Sequence, residues 1–130
     1  MQANMKITVR RGEIQKQRAD ALVVNLFAGS APGGATAAVD RALGGQIRAA
    51  IDLGDFKGAS GETLLLYSQG RIAAPRVLVV GLGAQPSFDA EAARRAAAQA
   101  AIALDKLGCR RAATILHGGG AGGLESAEAA

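Results

Sequence analysis

Few side chains in this sequence can act as a nucleophile, a general base or a metal ligand. The 130 residues include one histidine, one cysteine and one tyrosine. Zinc sites need several such ligands, so neither a histidine-rich nor a cysteine-based zinc site can be built. His117 follows a predicted strand, and the next acid along the chain is Glu125. A lone histidine there is typical of a structural or surface residue, and a catalytic role is the weaker interpretation.

Cys109 and one pair of carboxylates are the remaining candidates. Arg110 follows Cys109, and a neighbouring arginine can lower the pKa of a thiol. No second histidine is available for a triad, so the sequence favours a half-buried thiol without a chemical role. Asp52 and Asp55 flank Gly54 at a predicted helix end, where they are expected to cap the helix or face water. We therefore predict no catalytic, cofactor-binding or metal-binding residue in this chain.

Two glycine-rich segments follow apolar strands, namely Pro32–Gly34 and His117–Gly123. Glycines allow a backbone to approach a phosphate, and the N–H groups at a helix start can bind its charge. Neither segment matches a P-loop or a complete dinucleotide fingerprint. A structural turn and an anion-binding loop both remain open, with the turn favoured. A third run, Gly81–Gly83, is followed by Ala84–Pro86 where a helix should start, which argues against dinucleotide binding.

The charge balance is basic. Fifteen lysines and arginines stand against eleven acids, for a net charge of +4. Such a balance can indicate a nucleic-acid partner, but these positive residues are dispersed in short doublets without aromatics to stack on bases. The doublets are Arg10/Arg11, Lys16/Arg18, Arg94/Arg95 and Arg110/Arg111. We expect a solvated surface, with DNA binding as a less favoured alternative.

The sequence carries no sign of secretion or membrane insertion. No run approaches the roughly 18 apolar residues of a membrane helix, and the N-terminus lacks the apolar stretch of a signal peptide. With a single cysteine, no disulfide can form within the chain. A cytoplasmic protein without a membrane partner is expected.

Apolar segments alternate with helical patterns along the chain. The predicted strands are Lys6–Arg10, Ala21–Leu26, Thr63–Tyr67, Val77–Val80 and Thr114–Leu116. The middle three are expected to be buried. The last strand could start earlier, at Ala112. This alternation predicts a three-layer α/β domain.

Two helical regions separate these strands. In the first, a stripe of Val39, Leu43, Ile47 and Ile51 is interrupted by Gly44–Gly45, which should divide it into two helices. The second should begin after the N-cap Asp89 and run to Leu107, with Gly108 as its stop. Its buried stripe is predicted from the apolar spacing as Ala93, Ala97, Ala100, Leu104 and Leu107. A further helix has just begun at Glu125 when the sequence ends, so we expect this chain to be part of a longer protein.

Four segments, taken in order, resemble the N-terminal domain of the leucyl (cytosol) aminopeptidase family. They are ADALVVNLF at 19–27, GGATAAVD at 33–40, GDFKGASGETLLL at 54–66 and RVLVVGLG at 76–83. The resemblance implies that residues 1–130 form one domain, a three-layer α/β/α macrodomain-like fold with a mixed, mostly parallel sheet. In this family a separate catalytic domain follows.

The resemblance also implies what the whole protein does. Members of the family are two-metal peptidases, dependent on zinc or manganese, that remove N-terminal amino acids and assemble as hexamers. Their metal-binding residues and the NTDAEGR-like segment belong to the catalytic domain and have no counterpart in this sequence. The implied role of this chain is structural, with its own catalytic domain and neighbouring subunits as partners. The fragment alone is expected to be inactive.

The macrodomain likeness supplies an alternative, a stand-alone module that binds ADP-ribose or a related nucleotide. The segments Gly12–Ile14, Asp20–Asn25, Pro32–Asp40 and His117–Gly123 match, in order, regions that macrodomains place around ADP-ribose. However, Glu13 stands where an aspartate is usual, and LFAGSAP at 26–32 lacks a second asparagine and a fuller glycine run. The expectation is therefore a shared scaffold without the nucleotide site, since fold does not fix function.

Overall fold

The computed structural model describes residues 6–9 and 13–115. Five strands form one sheet, and they are β1 (Lys6–Val9), β2 (Ala21–Phe27), β3 (Thr63–Tyr67), β4 (Arg76–Gly83) and β5 (Arg111–Thr114). The helices are α1 (Gly34–Ala42), α2 (Gln46–Leu53) and α3 (Ala90–Lys106). Short 3-10 turns cover Ile14–Lys16 and Gln85–Ser87.

The sheet is mixed and mostly parallel, as predicted. Its strand order is β1-β5-β2-β4-β3. β5 pairs in parallel with both β1 and β2, β2 pairs in parallel with β4, and β3 alone runs antiparallel, against β4. We call the edge where the parallel strands begin the amino edge and the edge where they end the carboxyl edge. The β-branched, apolar run of β2 suits its central position, since strands covered on both faces need no polar alternation.

Helices cover both faces of this sheet, which confirms the three-layer arrangement. Leu22 and Val24 of β2 point into one core cluster, which also contains residues of α1 and α2. Ala21 and Val23 point into the other, which contains Ala96, Ala100 and Leu104 of α3. Successive side chains of a strand alternate between faces, so the continuous apolar run of β2 serves both layers.

The break between α1 and α2 falls at the two glycines that predicted it. Gly44 and Gly45 have φ values of 74° and 86°, in the left-handed region that glycine adopts without steric cost. The N-cap Gly45 has no capping side chain, and Asp40 of α1 takes that role. Its buried carboxylate accepts the backbone N–H groups of Ile47 at 2.7 Å and Arg48 at 3.3 Å. The two helices are therefore held as one unit across the break.

The ends of α3 are confirmed, but its predicted face is wrong. The Asp89 side chain caps the helix by accepting the N–H of Ala92 at 2.8 Å, and Gly108 follows it with a φ of 75°. The buried stripe consists of Ala92, Ala96, Ala100 and Leu104. Ala100 and Leu104 agree with the prediction, whereas Ala92 and Ala96 replace the residues that follow each of them. Alanine occupies both stripes there, so side-chain type alone could not select between them. Leu107, predicted as buried, is 37% exposed.

Two strand predictions also need correction. β3 was expected to be buried, but it is the edge strand, with Thr63 and Tyr67 exposed and the leucines between them half-buried. An apolar run indicates a strand without saying whether it has one neighbour or two. β5 spans Arg111–Thr114, starting earlier than predicted, and Leu116 lies outside the described residues.

Candidate functional site

The segment after β2 lies at the carboxyl edge, where open α/β sheets usually bind ligands. Residues 28–33 link β2 to α1, and Gly29 and Gly34 take left-handed φ values of 77° and 53°. The Thr36 hydroxyl donates to the backbone oxygen of Asn25 at 2.8 Å, which ties the first turn of α1 to β2. The N-cap Gly33 provides no side-chain hydrogen bond. This loop could bind a ligand through its backbone N–H groups, but it has no charged side chain.

The glycines of this loop are not required by close packing. A Cβ atom built on Gly29, Gly33 or Gly34 would meet nothing within 4 Å. Their positions therefore fit the structural-turn interpretation, with anion binding left to the backbone alone. The second glycine-rich segment, residues 117–123, lies outside the described part of the chain together with its histidine and Glu125.

The end of β4 is covered by the loop that precedes β3. Gly81 donates its N–H to the backbone oxygen of Glu62 at 2.8 Å, and Gly83 donates to Gly58 at 2.9 Å. The Glu62 carboxylate accepts the N–H groups of Lys57 and Ala59, each at 3.0 Å. The Lys57 N–H is the main reason that the pKa of Glu62 is lowered. The run Gly81–Gly83 thus continues a strand and is held by a loop, unlike a dinucleotide-binding turn.

An aromatic pair closes the same edge on the α3 side. The rings of Phe27 and Phe88 meet edge to face, with their centroids 5.2 Å apart. Both rings are half-buried and pack against the α3 core cluster. This contact joins the end of β2 to the segment that enters α3.

The sequence-predicted candidates do not converge on one centre. Glu13 is exposed and forms an ion pair with Lys16 at 2.7 Å. Asp52 and Asp55 are exposed on either side of Gly54, facing water as predicted. Cys109 is buried, with 5% exposure, and this burial raises the pKa of its thiol despite the nearby Arg76 guanidinium. The suggestion that Arg110 activates the thiol is therefore wrong, and the spectator interpretation agrees with the structure.

The basic doublets that the structure describes lie on different elements. Arg94 and Arg95 lie in the first half of α3. Both form ion pairs with the Glu91 carboxylate, with nitrogen–oxygen distances of 2.5 Å for Arg94 and 3.6 Å for Arg95. Arg110 and Arg111 lie at the amino edge, at the start of β5. Lys16 forms an ion pair with Glu13 in the turn before β2. The doublets that the structure describes therefore belong to three separate segments of the chain.

Sequence reasoning missed the most connected carboxylate, Asp20. Its Oδ2 atom accepts the N–H groups of Arg110 at 2.7 Å and Arg111 at 3.0 Å. Arg76 donates to the backbone oxygen of Asp20 at 3.3 Å. These contacts, led by the Arg110 N–H, lower the pKa of Asp20. Asp20 thus fixes the starts of β2, β4 and β5 relative to one another, a role that no local pattern around residue 20 could reveal.

The Asp20 contacts predict a pH dependence of stability. Because the pKa is lowered in the folded chain, this stabilisation is complete above the unfolded-state pKa of about 4 and is lost as the pH falls through the folded-state value. The difference in free energy of unfolding between wild type and Asp20→Asn should therefore shrink as the pH falls from about 6 to about 2. Urea unfolding at several pH values measures it. Asp52→Asn, which removes an exposed carboxylate, provides the baseline, and a difference that stays constant with pH would contradict the assignment.

The described residues contain neither a metal-ligand cluster nor a membrane-spanning helix. Within residues 6–9 and 13–115, no three His, Cys, Asp or Glu side chains are grouped so as to hold a metal ion. No helix in that part of the chain is both long and apolar enough to cross a membrane.

The strand order, the antiparallel edge strand and the helices on both faces define a macrodomain-like α/β fold. Solved structures agree on the fold. The macrodomain of Mycobacterium tuberculosis DarG matches with a TM-score of 0.74 at 16% identity, covering 93% of this chain and 82% of that one. Tomato leucine aminopeptidase, in a mutant form, matches with a TM-score of 0.67 at 22% identity, covering 85% of this chain and 23% of that one.

Sequence comparison assigns the family within this class. The model for the cytosol aminopeptidase family, N-terminal domain, matches residues 23–130. A probable cytosol aminopeptidase of Acidithiobacillus ferrooxidans is 40% identical over 113 residues, which are 87% of this chain and 22% of the relative. Another, of Methylobacillus flagellatus, is 39% identical over 103 residues, 79% of this chain and 21% of the relative. The chain belongs to the cytosol aminopeptidase family and corresponds to its N-terminal domain, spanning about a fifth of the length of these relatives.

Proposed function

We propose that this chain is the non-catalytic N-terminal domain of a cytoplasmic leucyl aminopeptidase, with a structural role in that enzyme. The parent protein would remove N-terminal amino acids from peptides with the help of two zinc or manganese ions. This domain would cover the catalytic domain and contribute contacts between the subunits of a hexamer. The match of residues 23–130 to the family's N-terminal domain carries this proposal.

The use of the carboxylates supports a structural role. Asp20, Asp40, Glu62 and Asp89 all accept backbone N–H groups, and they join strand starts, helix ends and a loop. Carboxylates committed in this way hold the fold in one arrangement. A metal ion would have to compete with these hydrogen bonds.

The described residues do not fit the two-metal centre of the family. They contain no grouping of three potential ligands, and the two aspartates closest in sequence, Asp52 and Asp55, flank an exposed helix end. We propose, as the resemblance implies, that the metal ions are bound by the catalytic domain of the parent protein.

An activity assay tests the proposal. We expect the purified chain to hydrolyse leucine p-nitroanilide no faster than buffer with added manganese, because the resemblance assigns the metal-binding residues to the catalytic domain. A full-length cytosol aminopeptidase from Acidithiobacillus ferrooxidans under the same conditions is the positive control, and circular dichroism confirms that the chain is folded. Hydrolysis at a rate comparable with the control would refute the proposal.

The same preparation tests the nucleotide-binding alternative. Calorimetry with ADP-ribose at millimolar concentration should give no heat of binding if this chain is a structural domain. Saturable heat would favour a macrodomain-like binding module, with the loop at 28–33 and the start of α1 as the first region to mutate. One reason to expect the negative result is that Glu13 stands at the position where macrodomains usually have an aspartate.

A further inference from the structure

The end of α2 forms an exposed acidic projection, which we call the acidic knob and define as residues 52–55. Leu53 at its centre is 75% exposed, more than any other large hydrophobic residue that the structure describes. Asp52 and Asp55 on either side are exposed, and their carboxylates form no hydrogen bond or ion pair with the described part of the chain. A single exposed leucine is ordinary, but one between two uncommitted carboxylates has both an apolar and an ionic means of binding.

The amino edge carries a surface of the opposite charge, which we call the basic patch: Tyr67, Arg76, Leu107 and Arg110. Tyr67 of β3 is the register partner of Arg76 of β4, so their side chains emerge on the same face. Arg76, Leu78 and Val80 are alternate residues of β4, so their side chains point to the same face of the sheet. Leu78 and Val80 belong to the core cluster beneath α3, so this is the α3 face. Tyr67 is 51% exposed and Leu107, just after α3, is 37% exposed.

Asp20 brings Arg110 to the same place. Its carboxylate binds the Arg110 N–H, and its backbone oxygen binds the Arg76 guanidinium. The patch thus combines tyrosine, arginine and leucine within one corner of the sheet. Tyrosine and arginine are enriched at protein interfaces.

The patch keeps a net positive charge within the described chain, because the Asp20 carboxylate offsets only one of the two charges of Arg76 and Arg110. Asp20 is the one carboxylate bonded to it, and that carboxylate is already engaged by two backbone N–H groups. The Arg76 Nε atom is buried and has no hydrogen-bond partner among the described residues. Because this atom is buried, a carboxylate of another molecule cannot bond to it. An approaching carboxylate would instead be stabilised by the charge of the exposed Arg110.

The knob and the patch lie at opposite ends of the molecule. The chain leaving the knob reaches Gly58, whose backbone oxygen accepts the N–H of Gly83 at the end of β4. Arg76 is the first residue of the same strand. Eight extended residues span about 25 Å. The two surfaces therefore cannot meet within one copy, and each is free to meet its complement on another.

We propose that the acidic knob of one copy docks on the basic patch of a second copy, head to tail. Leu53 would pack against Tyr67 and Leu107, and its flanking aspartates would face Arg76 and Arg110. Such a heterologous contact leaves one knob and one patch unused in every pair, so it builds rings or open chains. The inference extends the assembly part of the proposed function, and its test below uses no peptidase readout.

The contact is small, so its strength should depend on concentration and salt. Stable interfaces bury about 1,200 Å² or more in total, and one leucine with four charged neighbours buries less. We expect the weight-average mass in sedimentation equilibrium to rise with chain concentration between about 20 μM and 1 mM at low ionic strength. At about 0.3 M salt the rise should be largely lost, because exposed charges are then screened within a few ångströms.

Two variants separate the halves of the contact. Leu53→Lys disables the knob and leaves the patch intact, whereas Arg110→Glu disables the patch and leaves the knob intact. Each variant alone should remain monomeric across the same concentrations. An equimolar mixture should form a one-to-one dimer and nothing larger, because only one productive contact remains.

A charge-matched control distinguishes docking from a general charge effect. Arg94→Glu changes the net charge as much as Arg110→Glu does, but it lies on α3 outside both surfaces, so it should associate like wild type. A wild-type chain that stays monomeric at low salt overturns the proposal. So does association that survives both variants, a mixture that gives no dimer, or a control that abolishes association. The hydrolysis assay can give either result without affecting any of these outcomes.

Discussion

Gly81→Ala is expected to destabilise the domain by about 3 kcal/mol or more, the upper range for overpacking a buried site. Gly81 lies in β4, where residues 58–59 pass directly over it. A Cβ atom on Gly81 would overlap the backbone oxygen of Ala59 and lie 2.6 Å from the carbonyl carbon of Gly58. Both are backbone atoms that cannot turn aside as a flexible side chain could. The loop would have to move, and with it the hydrogen bond between Gly81 N–H and Glu62 O.

Urea unfolding monitored by circular dichroism measures this effect. Gly33→Ala is the matched control, since Gly33 also has a negative φ of −134° and a Cβ there meets nothing within 4 Å. We expect this control to cost no more than about 1 kcal/mol, the range for a weakened N-cap. Equal losses for the two variants would show that the approach of the loop to β4 is not as close as described.

Phe56→Ala is expected to cost about 3–5 kcal/mol, the range for removing a buried aromatic ring from a core. Phe56 is the largest fully buried side chain of the described residues, with 0% exposure. It packs in the core cluster that joins α1 and α2 to the sheet. Typical domains are stable by about 5–15 kcal/mol, so this one substitution would remove a large share of the total.

A milder core variant and an exposed variant serve as controls for this prediction. Phe56→Leu keeps much of the volume and should cost less than about 1.5 kcal/mol. Leu53→Ala, three residues earlier, changes a side chain that is 75% exposed and should alter the free energy of unfolding by no more than about 0.5 kcal/mol. If Phe56→Ala were as mild as Leu53→Ala, the ring would have to lie outside the core.

Local patterns predicted the elements of this fold well because the chain marks them with residues of strong conformational preference. Gly44–Gly45 divides the first helical region, Asp89 and Gly108 bound α3, and the runs in β2 and β4 are apolar and β-branched. Each of these signals acts within a few residues. The order of the strands depends on pairings between distant segments. The resemblance to a family predicted only that the sheet is mixed and mostly parallel.

The errors and omissions have a common physical origin. The face of α3 was misplaced because alanines lie on several of its sides, so burial had to be decided by the sheet beneath it. The exposure of β3 depends on its having a neighbour on one side only. Asp20, Asp40 and Glu62 escaped notice because their partners are backbone N–H groups brought close by folding, which no residue type in the sequence records.

The strand order also has a consequence for folding during synthesis. β5 lies between β1 and the centre of the sheet, so β1 has no neighbour among the described strands until Arg111–Thr114 is available. β2, β3 and β4 can pair with one another as soon as residue 83 has left the ribosome, whereas the first strand synthesised must wait for the last. Long-range pairings of this kind slow folding, because the chain loses the entropy of loop closure before the stabilising contacts form. A nascent chain stalled before residue 111 would therefore present an unpaired strand, KITV, with the apolar residues Ile7 and Val9, and an open edge of β2 to its surroundings.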